Sequence, residues 1–265
     1  IKNSQENSIV EFKNVYYPTE KISQFSIYKA ELLSSIGLNE MALIETKYGI
    51  HSNPGNMYLL ALLAENYAQN HAYYLSIGWA QVIINHFINR EEIEDIPFEI
   101  WQYAFPNYYS EQIIKLAEDY ELNPCLVWST IREESHFNPY CESRAGARGL
   151  MQIILSTGEW IAQKINEEPF TYDSLYDPDT NLLLGCWYLD FLNQKFENNH
   201  YYIIAAYNAG PGIMSRWLEN SVITDLDIFI ENIPYKETRE HVKKVMRSYL
   251  IYQSLYQKDE GLNLL

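Results

Sequence analysis

The chain has 265 residues, 47% of them hydrophobic and 15% aromatic, with 35 acidic against 19 basic side chains and a formal charge of −16. Such a chain buries a substantial core, which excludes disorder as its main state, and its length suits one large domain or two modest ones. Acids outnumber bases 12 to 6 up to residue 109 and 23 to 13 beyond it, so neither half offers the basic face that nucleic-acid affinity requires.

With only 11 glycines and 10 prolines, a mainly helical fold is predicted over a loop-rich or all-β one. Helical patterns run over Ile22–Ile36 and Asn39–Tyr48. Residues 48–89 contain a single formally charged side chain, Glu65. Within them, Tyr58, Leu59, Leu62, Leu63 and Tyr67, then Tyr74, Ile77, Gly78, Gln81 and Ile84, form stripes on either side of the polar turn Gln69-Asn70-His71. The pattern predicts a helical hairpin covered by neighbours, and its polar breaks argue against a membrane span. The N-terminus lacks the basic and apolar regions of a signal peptide.

Charge concentrates at Arg90–Pro97, and Pro106 follows, so a junction is placed there: a helix-pair module over 1–106 and a second domain over 107–265. Helix starts are marked by Ser110 before Glu111, Asn123 before Pro124, Asp177 before Pro178, and a capping box from Ser156 to Glu159. A loop or small hairpin is expected over Ser143–Gln152, where Gly146 and Gly149 interrupt helix; Gly210 and Gly212 mark a second break. The last helix is predicted over Lys236–Tyr256, with Val242, Val245, Met246, Tyr249, Tyr252 and Tyr256 on its packed face.

The three cysteines, Cys125, Cys141 and Cys186, lack close metal-ligand spacing and read as small buried hydrophobes, with a disulfide between one pair left open. The six histidines are scattered without an HExxH, so no metal site is expected. Glutamates are more informative. On the helix from Pro124 to Ser135, Glu134 shares a stripe with Val127 and Ile131, whereas Glu133 lies about 100° around the cylinder. Burial and the negative end of the helix dipole would both raise the Glu134 pKa, as a general acid requires. On this pattern alone, a solvated or capping helix-end glutamate is the commoner case.

Four motifs change that reading. The run Arg132-Glu133-Glu134-Ser135-His136-Phe137-Asn138-Pro139, followed by Gly149-Leu150-Met151-Gln152-Ile153, resembles the Glu-Ser and Gly-Leu-Met-Gln-Ile signatures of lytic transglycosylases. Ala205-Ala206-Tyr207-Asn208-Ala209-Gly210 is similar to their Ala-Tyr-Asn-Ala-Gly motif, and the segment from Phe229 to Val242 resembles one near the C-terminus of the soluble, SLT-type branch. The resemblance covers about 110–256, and the earlier helices resemble a shortened form of that branch's α-superhelical region. It implies an all-α architecture with a lysozyme-like catalytic domain that cleaves the MurNAc-β-1,4-GlcNAc bond of peptidoglycan without water, leaving 1,6-anhydro-MurNAc ends. Glu134 would act first as acid and then as base. The loop Ser143–Gln152 holds no carboxylate, so the substrate's 2-acetamido group is the expected stabiliser of the oxocarbenium-like charge.

By the same resemblance Tyr207 would hydrogen-bond Glu134, and Asn208 would shape the cleft. Ser143 and Gln152 would contact acetamido and hydroxyl groups, Met151, Gly146 and Gly149 would let the loop lie against the sugar ring, and Glu231 would belong to the cleft. The chain departs from the family where Gln152-Ile153-Ile154-Leu155 replaces the usual Gln-Ile-Met-Pro. The resemblance also implies glycan strands as partner, no cofactor, a periplasmic or envelope location with any leader or anchor outside this chain, and contacts to other cell-wall enzymes through the N-terminal module; residues 48–89 would serve protein contacts in the scaffold reading below. A goose-type hydrolytic lysozyme and a non-catalytic glycan-binding scaffold stay open as alternatives.

Overall fold

A computed structural model describes residues 8–167, 169–219 and 225–257. Its contacts divide the chain into two compact units, Ile1–Asn107 and Tyr108–Leu265. The first contains α1 (Ile9–Tyr16), α2 (Lys21–Ser35), α3 (Asn39–Ser52), α4 (Met57–Gln69), α5 (Tyr73–Ile88) and α6 (Phe98–Ala104). The second contains α7 (Ser110–Asp119), α8 (Pro124–Ser135), α9 (Leu155–Ile165), α10 (Pro178–Lys195), α11 (His200–Ala209), α12 (Pro211–Glu219), α13 (Leu226–Glu231) and α14 (Lys236–Tyr256). Among the described residues the only extended pairings are isolated bridges, Glu142 to Arg148 and Arg148 to Ile153.

In the first unit α2 pairs with α3 and α4 with α5, and α3 also packs on α4. The charge-poor stretch is interior: Met57–Ala64, Asn66 and Tyr67 on α4 are all buried, as are Ile77, Ala80, Ile83, Ile84 and Phe87 on α5. The amide nitrogen of buried Asn66 donates to Thr46 Oγ1 at 3.0 Å and to the Leu62 carbonyl at 2.7 Å. Tyr74, Val82 and Ile88 of α5 remain exposed, and further exposed apolar side chains lie on α2 and α3, among them Phe25, Tyr28, Leu32, Met41 and Ile44.

In the second unit α14 runs against α8 and α11 and buries Thr238, Val242, Val245, Met246, Ser248, Tyr249 and Tyr252. Two of the expected caps form: Asn123 accepts from Cys125 N at 2.9 Å, and Asp177 accepts from Thr180 N at 2.9 Å. The Ser156–Glu159 box does not, because α9 starts at Leu155 and its first turn is entered from Ile154, whose side chain caps nothing. Likewise α7 is entered from Tyr109 in the left-handed conformation, with Ser110 already helical. All three thiols are free; Cys125 and Cys186 are buried and Cys141 is half-buried.

Candidate active site

Pro124 at the first position of α8 and Asn123 before it start the helix, and His136 and Phe137, both at positive φ, end it abruptly. A pair of non-glycine residues in this region is strained unless the surroundings fix it. Phe137 is fully buried and packs edge-on against Tyr108 at 5.7 Å, and the Ser135 hydroxyl donates to the Leu150 carbonyl at 2.7 Å. Packing and hydrogen bonding thus hold the last turn of α8 against the loop that follows.

That turn carries two adjacent glutamates in opposite electrostatic states. Burial works against the Glu133 carboxylate, but Arg132 beside it and the Ser248 hydroxyl, donating at 2.5 Å, hold its pKa below the usual range. Glu134 has no such partners. Its side chain is 15% exposed, and burial first, then the charges of Glu133 and Glu237, push its pKa up to about 8. Neighbouring carboxyls with pKa values pushed apart are the physical mark of a division into acid and base or acid and spectator. Here the neutral acid at pH 7 is Glu134. His241 of α14 places Nε2 3.3 Å from Glu134 Oε1, outside hydrogen-bond geometry, and burial pushes its pKa down to about 4.

The Cys141–Ile153 loop is braced by its own backbone and by side chains of the helices around it. Gly149 N donates to Cys141 O at 3.0 Å, Arg148 and Ile153 exchange backbone bonds at 3.0 and 3.1 Å, and Ser143 Oγ accepts from Ala147 N at 3.0 Å. Asn181, buried on α10, accepts from Met151 N at 2.7 Å and donates to Arg148 O and Leu175 O at 2.9 and 2.8 Å. A Cβ at Gly149, where φ is +81°, would come within 2.1 Å of Leu175 O, and one at Gly185 within 2.1 Å of Met151 Sδ. On the outer side, the Arg148 guanidinium lies 3.5 Å from the Tyr172 ring and pairs with Asp173 at 3.0 Å.

This bracing revises several expected roles. Met151 is fully buried against Gly185, and Gly149 faces Asn181 and Leu175, so neither lies against a ligand space. Tyr207 donates its hydroxyl to Met151 O at 2.7 Å and not to Glu134; burial keeps its pKa well above the usual value, so it remains a donor. Gln152, at φ +50°, spends its amide nitrogen on Cys141 O and Gly149 O at 3.0 and 2.9 Å, which leaves its carbonyl oxygen for other contacts. Asn208 is exposed and accepts from Thr238 Oγ1 at 2.7 Å, which leaves its NH2 group outward. Ser143 serves the loop turn. Glu231 is exposed and paired with Lys243 at 2.6 Å, with its pKa lowered by that contact.

Sequence reasoning assigned the cleft carboxylate to Glu231, but it is Glu237, in the first turn of α14, whose charge reaches Glu134. No local sequence signal points to it, because Glu237 reaches Glu134 only through the packing of α14 on α8. Ile154, which stands where the family has methionine, is 42% exposed and available to a ligand. Among the described residues no group of three metal-ligating side chains comes together, and no helix is long and apolar enough to cross a membrane.

Residues 111–229 match the family model of the Transglycosylase SLT domain. The chain is 34% identical over 167 residues to the soluble lytic murein transglycosylase of Escherichia coli strain K12, covering 61% of this chain and 26% of that protein. The solved 70-kDa soluble lytic transglycosylase of Escherichia coli superposes with a TM-score of 0.68 at 25% identity, over 97% of this chain and 42% of that one. An inactive glutamate-to-glutamine variant of lytic transglycosylase Slt from Pseudomonas aeruginosa gives 0.66 at 25% identity, over 88% and 37%. The chain therefore spans 26% of the length of that curated relative and 42% of the Escherichia coli structure.

Proposed function

We propose that this chain, whose residues 111–229 match the SLT transglycosylase family model, is a peptidoglycan lytic transglycosylase with Glu134 as its acid and base. The observation that carries the proposal is the protonated, shielded Glu134 beside an ionised Glu133. Glu134 gives its proton to the oxygen linking MurNAc to GlcNAc as the anomeric C–O bond breaks, and the GlcNAc hydroxyl leaves. The resulting carboxylate then takes the proton of the MurNAc C6 hydroxyl as O6 bonds to the anomeric carbon. Glu134 ends protonated, so no water and no cofactor are consumed. The 2-acetamido group shares the positive charge between the two steps.

The remaining assignments follow from what each side chain leaves unpaired. The Gln152 carbonyl oxygen, the Asn208 NH2 group and the exposed Ile154 offer an acceptor, a donor and an apolar surface for acetamido and ring groups. Buried Tyr207, Met151, Gly149 and Asn181 hold the loop that carries Gln152. The relatives named above include a soluble lytic murein transglycosylase, which supports a periplasmic or envelope setting and glycan strands as substrate. Contacts to other cell-wall enzymes through the first unit are part of the same proposal, and α2 and α3 present its exposed apolar side chains.

A hydrolytic reading is favoured by one feature, the Glu237 carboxylate near Glu134, which could activate a water. Digestion of purified sacculi followed by mass spectrometry of the product termini separates the two. Anhydro-muramic ends support transglycosylation; reducing muramic ends overturn it in favour of hydrolysis; glycan binding without cleavage at any pH from 5 to 8 would leave a scaffold.

A further inference from the structure

The contact between α14 and α8 leaves one polar atom unexplained. His241 Nε2 is buried with no hydrogen-bond partner, and the group facing it is Glu134, whose Oε1 lies 3.3 Å away. Side-chain exposures of 12% and 15% leave little room for water between them. An unsatisfied buried nitrogen is costly, so a group that stays in this position is expected to find a partner in some state of the protein. Contacts of catalytic groups are often long before substrate binds and tighten afterwards.

Resting on the reading of Glu134 as the acid, we infer that His241 is a positioning residue that donates from Nε2–H to Oε1 of Glu134, so that the transferred proton resides on Oε2. The alternative tautomer, with the hydrogen on Nδ1, would aim a lone pair at the carboxylate formed after the first proton transfer. With the hydrogen on Nε2, the imidazole can serve both states of the reaction: it donates to the carbonyl oxygen of the neutral acid, then to the carboxylate. Rotation of the ring by a small angle would complete the bond, and no atom changes owner. The imidazole itself is neither acid nor base in the reaction.

The electrostatic surroundings favour a neutral pair over an ion pair. Around His241, the Glu133 carboxylate from α8 favours the imidazolium, whereas burial and Lys244 on α14 oppose it more strongly. Around Glu134, burial, Glu133 on α8 and Glu237 on α14 all favour the neutral acid. The Tyr207 hydroxyl of α11 and the Cys141 thiol of the loop also lie within electrostatic reach, but both are held protonated by burial. Glu231 of α13 is exposed and neutralised by Lys243. The usual order of a carboxyl titrating below an imidazole is reversed, so both partners are uncharged between pH values of about 4 and 8.

The test uses the whole chain. Nitrogen-15 NMR of the histidine rings in the wild-type protein at pH 6 should show His241 neutral with its hydrogen on Nε2; a hydrogen on Nδ1, or an imidazolium, overturns the inference. Carbon-13 titration of Glu134 should give a higher pKa in His241→Phe than in the wild type, because the donor to the carboxylate is lost. In His241→Gln, which keeps a donor, the wild-type value should be largely restored. An unchanged pKa in His241→Phe overturns the inference. With glycan strands as substrate, kcat should fall about tenfold to a hundredfold in His241→Phe with KM changed less than about threefold, and recover in His241→Gln. Equal kcat in all three proteins overturns it. Should the wild type cleave no glycan, the proposed function fails by itself, and the tautomer and Glu134 titration still decide the His241–Glu134 contact.

Discussion

At the scale of single residues, the site turns on two identical side chains made unlike by their surroundings. Glu133 is 7% exposed, yet it is ionised because Arg132 and Ser248 both donate to it. Glu134, one residue on, keeps its proton up to about pH 8. Glu134→Gln should therefore lower turnover by about a hundred- to ten-thousandfold on glycan strands, with an unchanged circular dichroism spectrum. The same substitution should stabilise the fold at the alkaline end. An unfolded chain loses the Glu134 proton near its ordinary value of 4.5, whereas the folded chain retains it to about 8. The stabilisation from the raised pKa is thus complete below the first value and lost as pH rises through the second. Glutamine has no proton to lose, so thermal melts should show the variant more stable than wild type by about 4 kcal/mol at pH 8, with little difference near pH 4. Glu133→Gln should do the reverse: it leaves the Arg132 guanidinium buried without its counter-charge, and melts at pH 7 should show a loss of about 3 kcal/mol. Wild-type kcat/KM should itself decline as pH rises past about 8, because the first proton transfer needs the neutral acid.

At the scale of elements, the parts of the site that follow local rules were legible and those that depend on distant partners were not. Helical period alone put Glu134 on the apolar face of α8 and Glu133 off it, and the caps Asn123 and Asp177 were readable because each is a short polar side chain before a proline. The bounds of α14 were readable for the same reason, a long uninterrupted stripe. Glu237 was not, because its closeness to Glu134 comes from the packing of α14 on α8 across about a hundred residues of sequence. Tyr207 was recognised by its motif, but the motif carries no information about the acceptor, which is the Met151 carbonyl. Asn181 left no sequence signal at all: an asparagine in the first turn of a helix is an ordinary weak helix former. In the fold it holds Met151 N, Arg148 O and Leu175 O together. Asn181→Ala should leave those buried groups unpaired and cost about 2–4 kcal/mol in denaturant unfolding. Its kcat should fall alongside, since the freed Met151 segment carries the Tyr207 acceptor and adjoins Gln152; wild-type stability in this variant would remove Asn181 from the bracing of the loop.

At the scale of the whole molecule, charge bears on how the chain would meet the glycan strands proposed as its substrate. The net charge is −16, with acids in excess on both sides of residue 109. Peptidoglycan carries its own carboxylates on the stem peptides, so the long-range field of the protein opposes approach, and affinity must arise at contact distance. The groups proposed for that contact, Gln152, Asn208 and Ile154, are uncharged and do not release counterions on binding. Raising salt shortens the screening length from about 14 Å near 50 mM to about 6 Å near 300 mM, which removes repulsion without weakening neutral hydrogen bonds. Two substrates separate these contributions. On glycan strands stripped of stem peptides, KM should change less than about twofold across that range; on strands that retain them, KM should fall as salt rises. A KM that rises steeply with salt on either substrate would mean that a cationic patch captures the polymer. Of the nearby arginines, Arg132 is committed to Glu133 and Arg148 to Glu142 and Asp173, which leaves exposed Arg144 as the cation such a patch would use, and the neutral cleft is expected to dominate.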